Sequence, residues 1–441
     1  MKVVFLTAGA AGMYCGSCMH DNALAKALRD LGVDCVLQPV YTPIRTDEDS
    51  IADAHVFFGG IHVYLLQQMP WLRFVPGPLR RVLDWPPLLN FATRRVASTD
   101  PGKLGELSLS MLRGVHGRQA DEFRRLVDWM ADEMKPDAVI FSNLLIGGGI
   151  PELKSRLPDT KLIVLLQGDD IFLDHLHPET RQQAIELCTE LIVSLDHACA
   201  HSQFYANKMG ELLQIPHEKR VVSRLSIDTS AFHPIANDDP AASNQAESNP
   251  SDSSPKPFRL GYLARIAPEK GFHRLVDAFL QIAKDPAMDH VQLHAAGWLG
   301  ENNRAYFQSQ LKRLEQAGVA DRFEHHGSPD LKQKIDYLRS LDLLCVPTEY
   351  EDPKGLFVLE SLAAGTPVVM PDHGAFSELI RSTGGGILVP PGDTDALCSS
   401  IRELVLDTPR RRQLAREGRE AVQEKHSIQS AAQALRDLIA S

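Results

Sequence analysis

The chain has 441 residues, too many for one ordinary domain, so two or three are expected. Hydrophobic residues make up 44%, enough for full cores, and a net charge of −11 argues against a broad nucleic-acid surface. No apolar run has the length of a transmembrane helix, the first residues read as a strand and not as a signal peptide, and seven scattered cysteines suit a reducing cytoplasm.

In chain order, Lys2 to Thr7 reads as a strand, Ala8 to Cys18 as a loop of small residues, Met19 to Leu31 as a helix stopped by Gly32, and Asp34 to Val40 as a second strand. This is a βαβ unit with a glycine-rich first turn. Gly9, Gly12 and Gly16 let backbone approach a ligand closely, without forming the G-x-G-x-x-G of dinucleotide binding. Cys15 and Cys18 have the spacing of a redox pair or half a zinc site. No second such pair follows, so packing and cleft lining is the favoured role. Residues 69–95 alternate Trp71, Phe74, Trp85 and Phe91 with Arg73, Arg80, Arg81, Arg94 and Arg95. Such a segment can lie on an acidic membrane surface or receive an acceptor. Its prolines prevent one long helix, which favours a flap packed on the first domain over membrane association.

Phe123 to Met134 reads as an amphipathic helix, and Asp137 to Phe141 and Lys161 to Leu166 as buried strands. The latter ends in Gln167-Gly168-Asp169-Asp170, polar residues where a strand's carboxyl end meets a cleft. Asp169 and Asp170 are acceptor contacts or the cap of the next helix. Leu191 to His201 reads as a strand, and Ser202 as the cap of a helix ending near Gly210. Residues 236–257, rich in Ser, Asn, Asp, Pro and Ala, form a flexible linker. The expected domains are therefore 1–235, joined by a closing helix at 427–441, and 258–426.

Phe258 to Leu263 opens the second domain. Beyond it, Arg265 can fork across a diphosphate and Lys270 can supply a point charge. Strand and helix then alternate through His290 to Ala295, Asn303 to Ala317, Arg322 to His326 and Asp330 to Leu338. Trp298 is placed to shape a nucleotide pocket, and His325 and His326 read as strand residues, not as metal ligands. A strand from Leu341 to Val346 leads to an acidic loop, a helix opening near Gly355, and a strand from Thr366 to Met370. The amides near Gly355 and Leu356 suit a phosphate. Asp352 and Glu360 frame the turn and could hold hydroxyls at the two ends of a ligand, or be a solvated loop acid and an ordinary helix glutamate. Asp393-Thr394-Asp395 has the form of a metal-binding D-x-D, but it precedes an apolar helix and reads as an N-cap.

The stretch from Val346 to Ile380 resembles the signature of family-four retaining glycosyltransferases, which have the GT-B fold of two Rossmann-like domains facing across a cleft. An acid, seven residues and Glu360 are followed by Gly365 and the strand Thr366-Pro367-Val368-Val369. The first acid is usually Glu, and here it is Asp352. Ile227, Asp228, Phe232 and Pro234 match the family's exit from the first domain, and Gly384–Gly386 and Pro390–Asp393 its closing motif. The resemblance implies hexose transfer from a nucleoside-diphosphate sugar with retention, without metal or cofactor. It implies catalytic roles for Arg265, Lys270 and Asp352, and donor contacts from these and Gly12, Gln167, Trp298, Gly355, Leu356 and Glu360. Gln167 stands where the family usually has a donor-contacting His. Tyr14, Asp169 and Asp170 are the implied contacts to a small-molecule, glycan or lipid-linked acceptor. Rival readings are a non-catalytic sugar-nucleotide or glycan binder and a Rossmann oxidoreductase.

Overall fold

A computed structural model describes residues 1–9, 16–44, 46–47, 49–53, 56–58, 101–232 and 257–441. Gly12, Tyr14, Cys15, the basic–aromatic stretch 69–95 and nearly all of the expected linker lie outside these residues. Packing divides the chain into one unit of Met1–Leu225 with Gln429–Ser441, and another of Ser226–Ile428. Residues 226–232 thus group with the second unit.

The first unit is built on β1 (Lys2–Thr7), β2 (Asp34–Pro39), β3 (Ala138–Phe141), β4 (Lys161–Leu166), β5 (His197–Ala200) and β6 (Arg220–Val222). They pair in the order β2-β1-β3-β4-β5-β6, all parallel. Helices cover both faces of such sheets, so the strands read as continuous apolar runs, and Val3 to Leu6 are fully buried. The chain moves from β1 to β2 on one side and then returns to β3 on the other. The crevice where ligands bind in open sheets therefore lies at the carboxyl ends of β1 and β3.

The second unit repeats the design with β7 (Phe258–Leu263), β8 (Val291–Ala296), β9 (Phe323–His325), β10 (Leu343–Cys345), β11 (Val368–Pro371) and β12 (Gly386–Val389). The order is β12-β11-β10-β7-β8-β9, again parallel. Here the switch falls between β7 and β10. Arg265 and Lys270 follow the first of these strands, and Asp352 follows the second.

Two readings of the sequence need correction. Leu191 to Val193 is not strand: it ends a helix, Pro178–Val193, and the strand starts at His197. Apolar runs do not distinguish a buried helix end from a buried strand. The expected helix to Met134 stops being α-helical at Asp128 and continues as a π-turn, Trp129–Met134, closed by Lys135 at φ 47°.

Candidate functional site

The second unit's site begins with a turn that glycine makes possible. Gly271 has φ 73°, and a Cβ there would stand 1.7 Å from the Pro347 carbonyl oxygen. That close approach lays the Arg265–Lys270 loop against the chain leaving β10. Tyr262, fully buried on β7, supports the loop from below. Its hydroxyl lies 3.0 Å from the Arg265 carbonyl and 3.3 Å from the Lys270 carbonyl.

Lys270 and Asp352 meet in this corner, with the ammonium 2.8 Å from Asp352 Oδ2 and both side chains largely buried. The Tyr350 hydroxyl bonds to both, lying 3.1 Å from the same carboxylate oxygen. Asp352 Oδ1 accepts the backbone N–H groups of Lys354 and Gly355 at 3.0 Å each. Burial alone would raise the Asp352 carboxyl, but the Lys270 charge and these donors hold it at about 2. Burial alone would lower the Lys270 ammonium, yet Asp352 and Tyr350 hold it well above the usual lysine value. Burial and the Asp352 charge push the Tyr350 hydroxyl up to about 12. At neutral pH the corner holds a fixed cation, a fixed anion and a neutral phenol.

The Asp352 turn opens the helix Leu356–Ala363 through Gly355 at φ 77°. The Gly355 N–H is occupied by Asp352, and Leu356 is the first residue of the helix, among those whose amides have no partner within it. Gly374 closes the turn from the other side, because a Cβ there would come within 2.8 Å of the Asp352 backbone nitrogen. One turn into the helix, Glu360 is buried and pairs with Lys334. The sequence reading missed Lys334. It lies on the helix Leu331–Ser340, and its signal was its place on that helix's apolar face, three residues after Leu331 and four before Leu338.

Arg265 differs from Lys270. Its side chain is 42% exposed and makes a surface pair with Glu269 at 3.1 Å. Trp298 is half-buried, and its carbonyl accepts the Ile266 N–H at 2.9 Å, which ties it to the same loop. Asp393 caps its helix by accepting the Ala396 N–H. A cavity of about 350 Å³ opens at the ends of β10 to β12, lined by Arg274, Thr348, Glu349, Pro391, Asp393 and Leu397 among others, and none of Arg265, Lys270, Asp352 or Glu360 lines it.

In the first unit, Gln167, Asp169 and Asp170 are all buried. Gln167 Nε2 donates to Asp21 Oδ1 at 2.8 Å and to the Ser142 carbonyl at 3.0 Å. Asp169 accepts the backbone N–H of Leu144 at 2.7 Å and of Gln167 at 3.1 Å. Asp170 accepts the Tyr205 hydroxyl at 2.6 Å and pairs with Lys208 at 2.9 Å. These groups tie the ends of β3 and β4 to the helix Gly16–Asp30 and the helix Gln203–Leu212. Burial pushes the Asp169 carboxyl up to about 6, assisted by neighbouring Asp170 and opposed by the amide donors. Cys18 is buried, which suits the packing role.

Comparison with known proteins follows the same division. Residues 243–421 match the family model "Glycosyl transferases group 1". A phosphatidyl-myo-inositol mannosyltransferase of Mycobacterium leprae is 28% identical over 58% of this chain and 70% of its own. The lipopolysaccharide core mannosyltransferase LpsB of Rhizobium meliloti is 31% identical over 47% and 57%. The chain thus spans between about half and 70% of these curated relatives. Among solved structures, Anabaena HepE in complex with UDP aligns over 100% of both chains with a TM-score of 0.68 and 17% identity. Sucrose-phosphate synthase from Thermosynechococcus elongatus aligns over 99% of this chain and 98% of its own, with a TM-score of 0.67 and 17% identity. The family match lies within the second unit, where residues 243–421 fit the glycosyl transferases group 1 model, and the structural matches carry the fold, a GT-B architecture of two Rossmann-like units.

Proposed function

We propose that the protein is a retaining glycosyltransferase that moves a hexose from a nucleoside-diphosphate sugar to a hydroxyl acceptor, without a metal ion in the reaction. The observation that carries this reading is the Lys270–Asp352–Tyr350 corner at the switch point of the second sheet. It supplies a buried, protonated cation at the switch point, where open α/β sheets usually bind their ligands, and this supports the reading. Lys270, joined by the exposed Arg265 guanidinium and the Leu356 amide, neutralises the charge that grows on the departing diphosphate. Donors positioned before the reaction lower its barrier by several kcal/mol, on the order of 3 for each group lost. Glu360, held by Lys334, accepts the ribose hydroxyls, and Trp298 flanks the nucleotide. Asp352 accepts a sugar hydroxyl as Lys270 turns to the phosphates. Gln167, Asp169, Asp170, Gly12 and Tyr14 retain their proposed parts in binding sugar and acceptor. For the first three, the internal bonds described above must be exchanged for ligand bonds. The mannosyltransferase names of the relatives and the UDP of HepE make GDP-mannose and UDP-hexoses the first donors to try.

A second reading, a non-catalytic sugar-nucleotide binder, draws support from the internal commitment of Gln167. A panel of UDP, GDP and ADP hexoses, scored by thermal shift and by slow donor hydrolysis, separates the two. Stabilisation by one donor with release of its nucleotide is the expected result. Stabilisation without release, persisting when acceptors are supplied, would establish the binder, and no response to any donor would overturn both.

A further inference from the structure

β9 lies at one edge of the second sheet beside β8, with Glu324 level with His294. Residues two apart on a strand share a face, so His326, just past the end of β9, stands beside Glu324. His294 Nδ1 is 3.1 Å from His326 Nε2 and 3.4 Å from a Glu324 carboxylate oxygen. The other Glu324 oxygen is 3.7 Å from His326 Nδ1. Among the described residues this is the one group of three such side chains whose ligand atoms all fall within 4.8 Å of one another.

The spacing has a chemical meaning. Two imidazole nitrogens 3.1 Å apart hold their lone pairs against each other unless a proton or a cation lies between them. Ligands at tetrahedral angles around zinc, at about 2.0–2.1 Å from the ion, stand roughly 3.3 Å from one another. Two edges of the cluster have that length. His294 is 3% exposed, and its Nε2 is buried with no hydrogen-bond partner among the described residues, so Nδ1 is the nitrogen it offers. The Glu324 side chain is 61% exposed, which opens the cluster to solvent and gives an ion a way in. One group opposes a cation: an Arg259 Nη2 lies 3.4 Å from His294 Nδ1. Its charge offsets that of Glu324, and it must turn away when an ion enters.

We propose that His294, Glu324 and His326 form a binding site for a zinc-like divalent cation, with three protein ligands and a fourth position open to water. Its place at the sheet edge makes it a clasp between β8 and β9, separate from the residues assigned to donor binding and independent of that assignment. The test is calorimetric titration of the chelator-stripped full chain with zinc. One saturable site is expected. Loss of one ligand of three weakens binding by roughly 100-fold or more, as His326→Gln and Glu324→Gln should show. These two side chains are partly exposed, so their variants keep the fold if the buried His294→Ala does not. Arg259→Gln should tighten binding, a response that zinc held elsewhere would not give. Absence of saturable binding overturns the proposal. So does zinc binding that survives both His326→Gln and Glu324→Gln, as binding through the cysteines would.

Discussion

Asp169 and Asp352 are the same residue type in closely similar places, and they behave oppositely. Each is buried beyond the carboxyl end of a parallel strand and accepts backbone N–H groups, Asp352 from its own turn and Asp169 from Gln167 in its turn and from Leu144 beyond the neighbouring strand β3. Burial raises both. Asp352 nevertheless sits at about 2, because the Lys270 ammonium is 2.8 Å away, whereas Asp169 sits at about 6, with Asp170 as its neighbour. Burial decides the outcome at Asp169, and at Asp352 the neighbouring cation, with the backbone donors, overrides it. The second unit thus holds a buried cation and anion paired with each other. The first unit uses its carboxylates to tie strands to helices.

The largest test of that contrast is Lys270→Met. It leaves Asp352 buried without its cation, and breaking such a pair costs about 3–5 kcal/mol. Denaturant unfolding reads that loss. In whatever protein remains folded, donor turnover should fall roughly 100-fold or more. A stable variant with undiminished turnover would remove Lys270 from both roles.

The pH dependence sharpens the same comparison. The Asp352 carboxyl is lower in the fold than in the open chain, so its stabilisation is present above about pH 4 and is lost as pH falls towards 2. The Asp169 carboxyl is higher in the fold, so its contribution runs the other way: stability improves as pH falls from above 6 towards 4. Carbon-13 shifts of the two carboxyls follow each site directly. Asp169 should titrate near pH 6 while Asp352 stays ionised below pH 4. Asp169 titrating with ordinary surface carboxylates would mean that the first unit's network is open to water and free to bind ligand.

Arg265→Ala is the smallest perturbation of stability. Its pair with Glu269 is exposed, so unfolding should move by less than about 0.5 kcal/mol. Donor turnover should still drop, because an exposed guanidinium is free to reach a diphosphate. Unchanged turnover would leave Lys270 as the working cation and Arg265 as surface charge.

The sequence by itself carried the two-unit α/β design, since near-continuous apolar strands such as Lys161–Leu166 alternate with helices and need a parallel sheet covered on both faces. It also placed Arg265, Lys270 and Asp352 beyond strand ends and Glu360 on the helix that follows, because local periodicity and turn glycines mark those elements. It misread Leu191 to Val193, where three apolar residues suit helix and strand alike. What each side chain touches was decided only in three dimensions. Lys270 and Asp352 are 82 residues apart, Lys334 and Glu360 26, and Gln167 and Asp21 146. Partnerships at such separations follow from sheet order, which no local pattern contains. They set which charges are fixed, which are spent on the fold and which are left for a ligand, because in a buried setting the energy of a charge depends on its nearest partner more than on its own identity.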